Sequence, residues 1–123
     1  MQWNIDSERP VYIQLIEQIQ AGIVSGYFNP GDKLPSVREL AAEAGVNPNT
    51  MQRALAELEQ TELVYTNRTS GRFITSDIGI IKKLKKQSAN NIIVEFIEKM
   101  KQIGYQEDDI LECITKILEE MRK

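Results

Sequence analysis

Apolar residues recur at helical spacing in five segments of the chain, and two short extended runs lie between the third and fourth segments. The first segment runs from Val11 to about Tyr27, the third from Pro48 to about Gln60, and the fourth from about Ile80 to Ile103. Spacing of three and four residues is typical of amphipathic helices, whose apolar side packs inward. The pattern therefore predicts a mainly helical protein.

The second and third segments each carry a start signal. Ser36 and Glu39 form a capping box, in which the hydroxyl accepts from a first-turn amide and the Glu side chain reaches back. Asn47 followed by Pro48 is a capping side chain with proline at the first helical position. The segment 44–46 between them contains a glycine and fits a tight turn. Together these signals predict a helix-turn-helix.

The two extended runs are Leu63–Thr66 and Arg72–Thr75, and a polar stretch ending at Gly71 separates them. Such a pair of runs predicts a β-hairpin, the wing of a winged helix-turn-helix. The expected fold is mainly α with a small β-hairpin. Its expected domains are an N-terminal winged helix-turn-helix at residues 1–76 and a two-helix C-terminal dimerisation tail at residues 77–123.

The side of the third helix that faces away from the apolar stripe is rich in hydrogen-bond donors. Asn, Gln and Arg side chains make paired hydrogen bonds with base edges in the major groove of DNA. For this helix alone, an ordinary solvated face is an equal alternative; the capping box, the turn and the hairpin favour DNA. The residues of this side and its edges are Asn49, Thr50, Gln52, Arg53, Ala56, Glu57 and Gln60.

Residues 10–76 resemble the DNA-binding domain of the GntR family of bacterial transcription regulators. The matching blocks are Pro30–Ala41, Val46–Thr50, Arg53–Leu55 with Leu58 and Glu59, and Gly71–Ile74. The short helical tail is similar to that of the YtrA-type branch of this family. The resemblance implies a regulator, usually a repressor and often of operons for ABC transporters, with double-stranded DNA as its partner. The predicted DNA-binding residues are Arg38, Asn47, Asn49, Thr50, Gln52, Arg53, Arg68, Ser70, Gly71 and Arg72.

The chain departs from the family pattern at two positions. Glu62 stands where the family has a glycine after the third helix, so the helix end is expected to be either strained or shaped differently. Thr69 replaces the first of two glycines at the wing tip, which leaves open how deeply the tip enters the minor groove. Arg68 and Arg72 flank Gly71 and are the expected backbone or minor-groove contacts.

The two tail helices display more apolar surface than one helical hairpin can bury. A second copy of the chain, related by a twofold axis, is the simplest partner for that surface. The alternative is a tail that packs back on its own winged domain. The predicted dimerisation residues are Ile92, Phe96, Met100, Ile110, Ile114, Ile117 and Met121.

Composition restricts the possible chemistry. The chain has no histidine and a single cysteine, Cys113, so a His-based catalytic or metal site and an intrachain disulfide are excluded. We expect no enzyme, no cofactor, no membrane segment and no export signal, and therefore a cytoplasmic protein. The net charge of −3 means that DNA binding depends on where the basic residues lie.

Two questions stay open at this point. A winged helix that serves as a protein-interaction module, without sequence-specific DNA binding, is the alternative function; it would be expected to expose apolar anchors instead of donors. The lysine run of residues 82–86 is either a solvated face or a contact with the DNA backbone.

The tail is too short to enclose a typical metabolite pocket, so an effector, if there is one, is not expected to bind in a dedicated domain.

Overall fold

The computed structural model describes all residues, Met1–Lys123, as five helices and two strands. This confirms the predicted fold class, mainly α with a small two-stranded antiparallel sheet. The elements in chain order are α1 (Val11–Val24), α2 (Val37–Ala44), α3 (Pro48–Gln60), β1 (Val64–Asn67), β2 (Gly71–Ile74), α4 (Ile78–Gln102) and α5 (Glu107–Met121).

Helices α2 and α3 form the predicted helix-turn-helix. At the start of α2, the Ser36 hydroxyl accepts from the Glu39 amide and donates to the Glu39 carboxylate, both at 3.2 Å. At its end, Gly45 adopts the left-handed conformation with φ 69°, and the Val46 amide donates to the Ala41 carbonyl at 3.0 Å. Glycine has no Cβ atom and adopts the left-handed conformation without strain, so the chain can turn sharply here.

Helix α3 supplies the centre of the hydrophobic core. Its Met51, Ala54, Leu55 and Leu58 side chains are at most 1% exposed. Fully burying an apolar side chain of this size stabilises the fold by about 1.5–3 kcal/mol. Leu15 and Ile19 of α1, Leu40 of α2, and Val64 and Ile74 of the wing complete the same cluster. The inner side of α3 is therefore fixed by packing, and its outer side is left to solvent.

The wing is an antiparallel pair in which Val64 faces Ile74 and Asn67 faces Gly71. Strand β1 begins one residue later than predicted, and β2 begins and ends one residue earlier. A third segment, residues 32–34, pairs with the other edge of β2. The Ile74 amide donates to the Asp32 carbonyl at 2.8 Å, and the Leu34 amide to the Arg72 carbonyl at 2.9 Å.

Glu62, which follows α3, is the one non-glycine residue with a positive φ, at 66°. The expected strain at this helix end is thus present: the chain keeps the left-handed turn that a glycine would make. The Leu63 amide donates to the Leu58 carbonyl at 3.1 Å, which closes the helix and directs Leu63 into the core.

The chain divides into two compact units, Met1–Lys85 and Lys86–Lys123. The predicted boundary after residue 76 lies nine residues earlier, because Ile80, Ile81 and Leu84 of α4 pack against the core of the first unit. Trp3 packs against this core as well. No helix is long and apolar enough to span a membrane.

The Glu62→Gly variant should be more stable than the wild type. Left-handed geometry costs an L-residue about 1–2 kcal/mol, and the greater freedom of glycine in the unfolded chain offsets part of that gain. We expect a net increase of about 0.5–1 kcal/mol in the free energy of unfolding, seen as a higher thermal midpoint at equal protein concentration. Glu62→Ala is the matched control, since it removes the same carboxylate but keeps the Cβ atom. An equal gain in both variants would contradict the strain at this position.

Candidate nucleic-acid interface

The outer side of α3 carries polar side chains that make no bonds within the chain. Asn49, Gln52 and Gln60 are exposed, and none of their side chains has a hydrogen-bond partner in the protein. Ala56 is exposed between them and adds almost no bulk, while Thr50 is half-buried at one edge. Exposed amide groups that have no partner within the protein can bond to base edges or backbone oxygens of DNA.

Arg53 also lies on this side, but it has a partner. Its guanidinium carbon is 3.6 Å from the centre of the Tyr12 ring, which belongs to the first turn of α1. Local periodicity does not show a contact between residues 41 positions apart. Tyr12 is therefore a residue of the candidate interface that sequence reasoning missed.

Asn47, predicted to contact DNA, is the N-cap of α3. Its side-chain oxygen accepts from the Asn49 amide at 2.8 Å. The capping bond uses the oxygen only, so the amide nitrogen stays available as a donor. The structure thus gives Asn47 a definite role in starting the helix, and its DNA contact stays a prediction.

Arg38, in the first turn of α2, is exposed and forms no ion pair. A surface ion pair with Glu39 or Glu43 is the alternative role for an arginine at this position. The structure has neither pair: the Glu39 carboxylate accepts instead from the Ser36 hydroxyl. The guanidinium of Arg38 is consequently free for an acceptor outside the chain.

A single carboxylate ties α3 to both strands of the wing. One oxygen of Glu59 accepts from the Thr66 hydroxyl at 2.5 Å and from the Arg72 Nε at 2.7 Å. Thr66 and Arg72 face each other across the two strands. Burial by itself raises the pKa of Glu59, but the hydrogen bonds from Thr66 and Arg72 and the charge of Arg72 lower it below its ordinary value.

Arg72 is accordingly less free than the sequence suggested. Its side chain is 21% exposed, and its Nε is committed to Glu59. The terminal nitrogens of the guanidinium have no partner in the protein. Arg72 can therefore still donate to a phosphate, but its first role in the structure is to hold the wing against α3.

The wing tip is ordered by its own side chains. The Asn67 side-chain oxygen accepts from the Thr69 amide at 3.1 Å and from the Thr69 hydroxyl at 2.9 Å. Thr69, in place of the family's glycine, thus adds a hydrogen bond that glycine lacks. Arg68, Ser70 and Gly71 are exposed at this tip.

A cleft of about 770 Å³ lies between the start of α2 and the wing. Its lining includes three basic residues, Lys33, Arg68 and Arg72, and one acidic residue, Glu39. Lys33 reaches the tip because the segment before α2 pairs with β2; its Cε lies 3.4 Å from where a Cβ on Gly71 would be. The pairing thus places Lys33 beside the predicted wing residues.

The second unit exposes most of its apolar side chains. Helix α4 has no buried residue, and Ile92, Phe96, Ile117 and Met121 are among the exposed ones. Met100 and Ile114 are half-buried and line an apolar cleft of about 260 Å³ between α4 and α5.

Ile110 is the exception among the predicted dimerisation residues. It is only 4% exposed, because it already packs within the chain, and in this structure it offers no surface to a partner. Cys113 lines the cleft beside Met100 and Ile114, as expected for a cysteine that serves as a small apolar side chain.

Residues 11–74 match the model of the gntR family of bacterial regulatory proteins. Among curated proteins, the chain is 38% identical over 116 residues to YhcF of Bacillus subtilis, an uncharacterized HTH-type transcriptional regulator. That match covers 94% of this chain and 96% of YhcF. It is also 44% identical over 71 residues to the HTH-type transcriptional repressor YtrA of the same organism, covering 58% of this chain and 55% of YtrA.

Solved structures show the same likeness. A GntR family transcriptional regulator from Listeria monocytogenes superposes with a TM-score of 0.84 at 41% identity, covering 91% of this chain and 98% of that one. The DNA-binding domain of AraR, solved in complex with its operator ORR3, gives a TM-score of 0.51 at 30% identity over 61% of this chain and 93% of that one. These relatives are regulators and not enzymes, which confirms that part of the sequence prediction.

Glu59→Gln should loosen the wing and destabilise the first unit. The amide keeps the shape of the side chain but loses the charge that strengthens both hydrogen bonds, so we expect a loss of about 1 kcal/mol at pH 7 in urea unfolding. Because the folded-state pKa of Glu59 is lowered, its contribution is present above about pH 4.3 and is lost as the pH falls through the folded-state value.

The difference between the wild type and Glu59→Gln should therefore shrink toward pH 3. Glu57→Gln is the control, since Glu57 lies on the same helix, is exposed and has no partner in the chain. It should leave the stability nearly unchanged at both pH values. A Glu59→Gln protein as stable as the wild type at pH 7 would show that the carboxylate does not hold the wing.

Proposed function

Because this chain belongs to the gntR family of bacterial regulatory proteins, we propose that it is a transcription repressor that binds an inverted-repeat operator as a homodimer. It acts on double-stranded DNA in the cytoplasm of a bacterium. The helix-turn-helix reads the major groove, and the wing lies against the adjacent backbone. From the resemblance we predict that its target genes belong to an ABC-transporter operon.

The observation that carries this proposal is the set of unpaired donors beside the helix-turn-helix. Arg38 on α2 and the amide side chains of Asn49 and Gln52 on α3 are exposed and make no bonds within the protein. Near them, a cleft with three basic residues separates α2 from the wing. This arrangement offers base-reading donors next to groups suited to phosphate oxygens, in a protein whose net charge is negative.

Two relatives support the finer parts of the proposal. The DNA-binding domain of AraR has been solved with operator DNA, and that domain shares its fold with this chain. YtrA of Bacillus subtilis is a transcriptional repressor, and its similarity to this chain extends over 71 residues. These likenesses support the proposal that this chain binds an operator and represses transcription.

The exposed apolar side chains of the second unit support the homodimer. Phe96, Ile117 and Met121 are 39%, 55% and 75% exposed, and the cleft between α4 and α5 has no polar lining. Contact with the same surface of a second copy removes these side chains from water, at about 25 cal/mol per Å² of apolar surface. A twofold dimer in turn requires two half-sites of opposite orientation.

A winged helix that binds only proteins is less consistent with the structure. Such a module needs apolar anchors on its contact face. The outer side of α3 exposes polar side chains and the small Ala56 instead. The exposed large apolar side chains are concentrated in α4 and α5.

Selection of bound sequences from random duplex DNA tests the function directly. We expect the full-length protein to enrich an inverted repeat, and transcription from a promoter carrying that repeat to fall when the protein is added. Enrichment of no sequence would refute sequence-specific binding. Enrichment of a direct repeat or a single half-site would refute the twofold dimer on DNA.

Arg38→Ala should weaken binding to the selected duplex by about tenfold or more, because a direct base contact contributes about 1–3 kcal/mol. The thermal midpoint should stay nearly unchanged, since Arg38 is exposed and unpaired. Arg9→Ala is the matched control: Arg9 carries the same charge but lies before α1 and pairs with Glu17. Fluorescence anisotropy at fixed salt measures both variants. Equal affinity of Arg38→Ala and wild type would remove Arg38 from the interface.

Ile117→Asp should convert the dimer into a monomer at micromolar concentration. The change places a charge on the exposed apolar side of α5, where burial against a second copy would leave it unpaired. Thr115→Asp is the control, since it adds the same charge to the same helix on its polar side. Light scattering gives the mass of each variant. A wild-type protein that is itself monomeric at this concentration would refute the role proposed for the tail.

A further inference from the structure

The contact between Tyr12 and Arg53 joins the first turn of α1 to the middle of α3. The guanidinium carbon lies 3.6 Å from the ring centre, so the cation stacks on the ring face. Tyr12 is half-buried, whereas Arg53 is exposed. A cation over an aromatic face is attracted by the ring's electron density, and this attraction restricts a side chain that is otherwise flexible.

Stacking leaves the hydrogen-bonding capacity of Arg53 intact. All five N–H groups of a guanidinium lie in its plane and point away from a ring stacked below it. No carboxylate or carbonyl of the chain accepts from Arg53. The side chain is therefore held in place by its face while its donors are directed to acceptors outside the protein.

The stack also shows to which side of α3 the guanidinium leans. Glu59 marks the flank of α3 that meets the wing, through Thr66 and Arg72. At 100° per residue, Arg53 lies about a third of a turn around the helix from Glu59 and leaves α3 close to the line opposite its buried side, together with Asn49, Ala56 and Gln60. Gln52 lies nearer the wing flank. The contact with Tyr12 draws the guanidinium of Arg53 away from this outermost strip, toward the side of α1.

A helix in the major groove presents its outermost strip to the base edges, and its flanks face the phosphate backbones that form the groove walls. We infer that Tyr12 is a positioning residue that turns Arg53 toward the backbone, so that Arg53 anchors a phosphate while Asn49 and Gln52 read the bases. The inference rests on the proposed function and narrows it. Under this inference Arg53, which carries the only guanidinium of α3, contacts a phosphate and does not read a base.

The test compares two variants of Tyr12. Tyr12→Leu removes the aromatic ring but keeps an apolar side chain that suits a helix. Tyr12→Phe keeps the ring and loses only a hydroxyl that has no partner in the chain. Both are titrated by fluorescence anisotropy against the duplex that the wild type selects from random DNA and against a scrambled duplex of equal length, over a range of salt concentrations. If Tyr12→Leu does not melt cooperatively, Tyr12→Met takes its place.

Tyr12→Leu should weaken binding to both duplexes by the same factor, about three- to tenfold, and should lower the slope of log affinity against log salt by up to about one phosphate contact. Tyr12→Phe should bind as the wild type does. Arg53→Ala should reproduce the effect of Tyr12→Leu, and the double variant should be no weaker than Arg53→Ala alone, because both changes remove the same contact. A structural defect elsewhere would not produce this non-additivity together with an unchanged preference for the selected duplex.

Three results would overturn the inference. Wild-type affinity of Tyr12→Leu would show that the ring does not position Arg53, and fully additive losses in the double variant would show that the residues act separately. A reduced preference for the selected duplex at an unchanged salt slope would make Arg53 a base reader. A wild-type protein that enriches no sequence would refute the proposed function and this inference together, which distinguishes that failure from the other three.

Discussion

The packing of one side of α3 is the interaction on which the rest of the structure depends. Met51, Ala54, Leu55 and Leu58 are removed almost completely from water, and α1, α2 and the wing all pack against the cluster that they centre. Burial of these side chains fixes the rotation of α3 about its axis. The opposite side of the helix is thereby aimed outward without any contact of its own. A single amphipathic pattern along α3 therefore determines both the core of the fold and the exposed side of the candidate interface.

Two polar contacts then hold the flanks of this helix. Glu59 accepts from both strands of the wing, and Arg53 stacks on the first turn of α1. Each contact contributes only about 1 kcal/mol to stability, because neither is fully buried. Their effect is geometric. They determine where the wing and one guanidinium lie relative to the exposed strip of α3.

The parts of the structure that the sequence predicted are those set by local chemistry. Ser36, Asn47 and Gly45 each act within one turn of their own helix, so the helix-turn-helix was predictable from residues a few positions apart. The predicted bounds of both strands differ from the observed ones by one residue. Hairpin register depends on the tip, where the Asn67 side chain sets the turn. At Glu62 the sequence left a strained helix end or a different shape open, and the positive φ shows the first of these, because the position, and not the residue, determines the turn.

What the sequence did not show are contacts between distant positions. The pairing of the segment at Lys33 with β2, and the contacts of Tyr12 with Arg53 and of Glu59 with Arg72, join residues that no periodicity relates. The exposure of apolar side chains on α4 and α5 was predicted, because these helices carry more of them than one helical hairpin can bury. The burial of Ile110 was not, because periodicity assigns a residue to an apolar side without saying which neighbour covers it.

The separation between the two sides of α3 also bears on how such a protein evolves. Asn49, Gln52, Ala56 and Gln60 share no contact with the core, and substitution at an exposed position of this kind changes folding stability by only about 0.5 kcal/mol or less. Under the proposed function, single substitutions there replace the recognised base pairs one at a time, with every intermediate still folded. A duplicated gene can in this way acquire a new operator while it inherits the scaffold unchanged.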